Sequence, residues 1–181
     1  PQLSLIDDPD TPLPEIVFFP QASSVAPNVF SITSGYWNNP NTWNCGCVPN
    51  QANDVEILAG HEVVIVESSS VNNLTIFEDA ILSVSSETEL NISVTGDWTN
   101  NGDFQAEMSR VSFNGNAAQS VSGATTFSTL RCVNPTELHI LSRVDVMNLL
   151  FVNATNLITN DRLSLNFNGT NSAQIAPILE G

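Results

Sequence analysis

A right-handed parallel β-solenoid of about seven rungs is the fold this chain predicts, and three observations carry that expectation. Short apolar seeds recur about every nineteen residues: VEI at 55–57, LTI at 74–76, ISV at 92–94, VSF at 111–113, LRC at 130–132 and LLF at 149–151, with LSLNF closing the series at 163–167. In the seeds and the runs around them, such as LSVSS and LNISV, apolar and polar residues alternate with the period of a half-buried strand. Between the seeds stand NNGD at 100–103, NGN at 114–116 and SG at 122–123, built from residue types that tolerate positive φ and close tight turns. One turn of that length has room for about three short strands, and about seven turns at ~4.8 Å each make a rod about 30 Å long.

Residues 1–28 lie outside the period. Prolines at 1, 9, 12, 14, 20 and 27 forbid a helix there and exclude a long central strand. Ile16, Val17, Phe18 and Phe19 are nevertheless too apolar for a free linker. They predict an extended arm that lays this cluster on the open end of its own solenoid or on a neighbouring subunit. Residues 29–53 are rich in turns and carry Tyr36, Trp37 and Trp43 beside Asn-Pro and Gly. Large aromatics in that setting predict a cap that seals the first rung, since an exposed rung edge invites pairing with another chain. A glycan-stacking platform is the other use of the same rings. The solenoid proper is expected at 54–168. The tail or linker at 169–181 shows no recognisable cap, so the last rung is expected to be covered by more of a longer protein or by another molecule.

Nineteen acids face four arginines and no lysine, a formal charge of −15. Such a surface repels nucleic-acid phosphates and anionic headgroups, which disfavours both as partners. Divalent cations, basic surfaces and neutral glycans are compatible with it, and the charge also keeps an extracellular protein soluble. No apolar run approaches the roughly 18 residues of a membrane span.

In this order the residues resemble a known module. SGYWNNPNTWNCGCVPNQANDVEILAGHEVVI, VNNLTI, LNISVTGDWTNNGDFQA and VSFNGNAAQSVSG, followed by TFSTLRC, are similar to a recurrent β-solenoid module of large Bacteroidetes surface proteins. Its marks here are a W-x₅-W-x-C-G-C-x-P phrase from Trp37 to Pro49 and a Gly-His-x-Val phrase at Gly60, His61 and Val63. Rungs worded VNNLTI, GDWTNNG and VxFNGxxxQxVSG follow. The likeness covers roughly residues 31–176 and leaves the arm outside it. It implies export by a type IX secretion system and a role in adhesion, gliding or matrix building. It transfers no catalytic residue.

Chemistry-bearing residues are few. Cys45 and Cys47, in C-G-C, are expected to close a small disulfide in an oxidising exterior; a soft-metal site or bridges to other cysteines are the alternatives. Cys132 sits at an inward seed position and reads as a buried thiol. His61 is expected at a solvent-facing turn and His139 on the outside of a strand, with no nucleophile phrase beside either. Among Asp79, Asp97, Asp103, Asp145 and Asp161 no pair is expected to share one cleft, as a glycoside hydrolase would need. Arg110, Arg131 and Arg143 fall in poor register for a stacked flank. Asp7, Asp8 and Asp10 offer at most loose calcium binding, and no cofactor is expected. The functional expectation is a non-enzymatic extracellular structural or adhesive surface module that self-assembles head to tail through its arm. Its partners are then other copies or adjacent domains of a longer surface protein. A glycan-binding module of a secreted bacterial protein is the alternative, and membrane insertion is not expected.

Overall fold

The computed structural model describes residues 28–85, 89–133, 136–153, 156–166 and 173–175. The apolar arm cluster Ile16, Val17, Phe18 and Phe19 lies outside them. The described chain winds into a parallel β-solenoid of about five turns. A first coil supplies β1 (Asn28–Phe30) and β2 (Gly35–Tyr36), joined through a 3-10 turn at Pro40–Thr42 to the next. The second supplies β3 (Asp54–Ile57), β4 (Glu62–Ile65) and β5 (Ser69–Val71). The third holds β6 (Leu74–Ile76), β7 (Ile81–Val84) and β8 (Asn91–Val94), and the fourth holds β9 (Trp98–Asn100), β10 (Asp103–Gln105) and β11 (Arg110–Phe113). After these come β12 (Gln119–Ser122) with the long β13 (Thr125–Val133), then β14 (Glu137–Ile140) with the long β15 (Val144–Asn153). A last coil contributes β16 (Asn156–Ile158), β17 (Leu163–Leu165) and β18 (Gln174–Ile175).

Three parallel sheets run along the rod. The first stacks β1-β3-β6-β9-β12-β14-β16, the second stacks β2-β4-β7-β10, and the third follows β5-β8-β11-β13-β15-β17 with β18 also on β15. Every second residue points inward, and in register these positions form columns. Val29, Val55, Leu74, Trp98, Val121 and Ile140 make one, all at most 1 % exposed. Ile92, Val111, Leu130 and Leu150 make another on the third sheet. Trp98 is fully buried, edge-on to Phe104 at 4.9 Å and to Phe127 at 5.3 Å. Such T-shaped contacts suit the ring quadrupoles and add to area burial.

Five complete coils, from β3 to β15, lie between a partial first coil and a partial last one, where seven rungs were expected, and the seeds do not mark one rung each. The seeds at 55 and 74 belong to the first sheet, whereas those at 92, 111, 130 and 149 belong to the third. Passing from 74 to 92 therefore moves to another face of the same coil, not to a new rung. The last seed begins β17, which stacks on the first part of β15, so LLF and LSLNF are likewise not successive rungs of one column. Coil length also varies: first-sheet partners are Val55, Leu74, Trp98, Val121 and Ile140, spaced 19, 24, 23 and 19. The boundaries shift too. Residues 29–53 form the first coil itself, with Val29 on Val55 and Tyr36 on Val64, and the tail adds β18 to the third sheet.

Two buried amides accommodate the wider coils. Gln119, 1 % exposed, donates from Nε2 to the carbonyls of Val94 (3.0 Å) and Gly96 (2.5 Å), and its Oε1 accepts from the Gly115 amide (2.9 Å). Asn100 donates to the carbonyl of Ala124 and accepts from the Gly102 amide. Each satisfies backbone groups freed where the chain leaves one sheet for the next, a necessity inside an apolar core. Gly123 (φ +79°) has no room for a side chain, since a Cβ there would lie 1.7 Å from the Asn100 carbonyl oxygen. The phrases GDWTNNG and VxFNGxxxQxVSG thus spell coil-to-coil joints.

Candidate functional site

At the first coil, Trp37 and Trp43 are each 1 % exposed and meet edge to face at 5.0 Å. The Trp43 Nε1 donates to the Trp37 carbonyl at 2.8 Å, locking the pair together. Neither ring offers a face to a ligand, so Trp37 and Trp43 do not build the glycan platform that was the alternative to a cap; both pack inside the first coil. Tyr36 alone of the three is exposed, at 56 %. Just beyond, the Cys45 and Cys47 sulfurs are bonded to each other on an exposed turn around Gly46.

His61 is tied into the stack instead of ending a free turn. Ser31 Oγ accepts from the Leu58 amide (2.9 Å) and is hydrogen-bonded to His61 Nδ1 at 2.8 Å. A Ser–His bond is the beginning of nucleophilic chemistry. Ser31, however, is wholly buried, so a substrate cannot reach its oxygen, and the bond clamps the first coil to the second. His139 lies on the outer face of β14, its Nε2 2.9 Å from the Glu137 carboxylate. Cys132 is fully buried in β13, and burial pushes its thiol up to about 12, far from a thiolate nucleophile.

The acidic residues are arranged otherwise than spacing suggested. Asp79 and Asp103 line one shallow depression of about 440 Å³ together with Glu78 and Asn101. Their turns are stacked there by the bond from the Asp103 amide to the Ala80 carbonyl. Among the described residues no group of three or more His, Cys, Asp or Glu is placed to hold a metal ion. Asp54 and Asp97 act within the stack: Asp54 Oδ1 accepts from the Asn72 and Asn73 side chains, and Asp97 Oδ1 from the amide and hydroxyl of Ser120. Arg110 and Arg131 lie on neighbouring strands of the third sheet, Arg110 paired with Glu89 and Arg131 seated over the Phe151 ring. Arg143 pairs with Asp145 at a different corner.

A second depression was not legible as a site. The second sheet ends at β10, while the following coils run β13 and β15 straight round the corner into the third sheet. Four residues, 106–109, turn the corner after β10; in β13 only Ser128 separates the two paired stretches. This step leaves a groove of about 400 Å³ lined by Phe104, Ala106, Glu107, Thr126, Ser128, Met147 and Asn148. The Asn148 Nδ2 donates to Ser128 Oγ across its floor at 2.7 Å.

Stacked strands, inward columns and outward polar ladders define the class: a parallel β-solenoid. No protein-family model matches the chain, and neither a curated protein nor a solved structure matches it.

Proposed function

We propose that this chain is a non-enzymatic structural or adhesive module of a bacterial cell surface, built to be continued end to end by further β-structure. The observation that carries the reading is the last coil. Leu157 and Leu163 occupy the inward columns, yet they are only half-buried, while their register partners Leu138 and Val144 are fully buried. Ile175, partner of Leu150, is 64 % exposed. A solenoid coil in that condition is a template whose apolar columns and strand edges favour another layer. The wording shared with Bacteroidetes surface modules supports an extracellular location, as do the acidic charge and the Cys45–Cys47 disulfide, a bond suited to an oxidising compartment.

The added layer is a second copy, engaged head to tail through residues 1–27; such a contact does not close and yields filaments. Light scattering and negative-stain microscopy on the full chain test this against a chain lacking residues 1–27. The expected result is concentration-dependent, end-joined rods that become single rods on deletion. Single rods at every concentration in both proteins would contradict self-assembly and leave the module as one segment of a longer surface protein.

A further inference from the structure

We propose that the groove beside β10 binds a neutral pyranose unit of a glycan, independently of whether the ends of the solenoid stack. Its volume, about 400 Å³, falls in the range of roughly 300–1,000 Å³ typical of small-ligand sites. The lining has the mixed chemistry that a sugar ring presents. Ala106 and Met147, half-buried over the buried Phe104, supply apolar surface for the C–H face of a pyranose. Thr126, Ser128 and Asn148 supply uncharged hydrogen-bonding groups, with Ser128 and Asn148 held in place by their mutual bond.

Glu107 sets the specificity. It is exposed at the rim, where its carboxylate accepts from vicinal hydroxyls and repels a carboxylated or sulfated sugar, a bias reinforced by a net charge of −15. Its backbone singles it out as well. Among the described residues four non-glycine positions have positive φ: Asp79, Asn160 and Asp161 are of the types that tolerate it, whereas Glu107 (φ +44°) is not. Strain of that kind, held by the bond from the Ser109 amide to the Ala106 carbonyl, is the sort that persists where a side chain must be aimed. A peptide added as a strand fits less well, because β10 offers an edge of three residues.

Saturation-transfer NMR on the full chain tests the proposal, using the methyl glycosides of glucose, galactose and N-acetylglucosamine, with methyl glucuronide as the acidic comparison. At least one neutral glycoside should give transfer and the glucuronide none. Thr126→Arg, at an exposed position, should fill the groove and abolish transfer with an unchanged urea midpoint. Glu107→Gln, which keeps the shape, should weaken binding about tenfold, the loss of one charge-assisted hydrogen bond. No transfer from any neutral glycoside, undiminished transfer in both variants, or equal transfer from the glucuronide would overturn it.

Discussion

The coil formed by β14 and β15 and the coil that follows it are built on the same plan and end in different physical states. Leu138 and Leu157 are register partners, as are Val144 and Leu163, and Val146 and Leu165. The first of each pair is fully buried; Leu157 and Leu163 are half-buried and Leu165 is 39 % exposed. Identical inward patterning therefore does not guarantee a core. An inward residue in a solenoid is dry when packing covers it on both sides, by coils in the middle of the stack and, for Val29 in the first coil, within a cluster that includes Trp37 and Trp43; stability here belongs to interfaces between coils more than to coils themselves. The middle coils add a second layer of restraint that the last one lacks in its described residues: buried amides at Asn100 and Gln119 that bind one coil to the next.

That difference can be broken in graded steps. The largest expected effect is Leu138→Ala, which opens a cavity at a fully buried position with a coil on each side and should cost about 2–5 kcal/mol in urea unfolding. Leu157→Ala, the same deletion one coil on, should cost about 1 kcal/mol, because much of that side chain already meets water. Equal losses would show that the last coil is as well packed as the middle. Next comes Gln119→Leu, which strands the Val94 and Gly96 carbonyls and the Gly115 amide in the core. A loss of about 1–3 kcal/mol is expected, read from the urea midpoint; an unchanged midpoint would mean that water replaces the amide. A comparably small effect belongs to reduction of Cys45–Cys47, whose loop is so short that the chain-entropy model gives about 1.5 kcal/mol. Thermal unfolding with and without reductant checks it, and collapse of the fold would assign the disulfide a far larger role.

All seven apolar seeds mark strands, because alternation and the residues that break it act locally and the sequence displays both. What local signals could not give was which face each strand joins. Seeds on two different sheets kept nearly the same spacing, and the one-residue slip before Ile92 was the trace of a change of sheet. The aromatic cap and the Cys45–Cys47 bond were legible because each rests on residues close in sequence. The Ser31–His61 clamp joins residues thirty apart across coils of unequal length, and no spacing rule reveals it. The groove was hidden for a related reason: it arises from a difference between corners, four residues after β10 against one in β13. Its faint sequence trace is TTFSTLRCV, nine residues that run on as one strand where earlier coils break between their second and third strands, at 66–68 and 106–109.

The central claim is that the last coil is an incomplete layer that another copy completes. Hydrogen–deuterium exchange on the full chain over a concentration series tests it most directly. In dilute protein the amides of β16 and β17 should exchange far faster than those of β12 and β14, and they should become protected as concentration rises. Equal protection of both pairs in dilute solution, or a last coil that stays unprotected at every concentration, would contradict it.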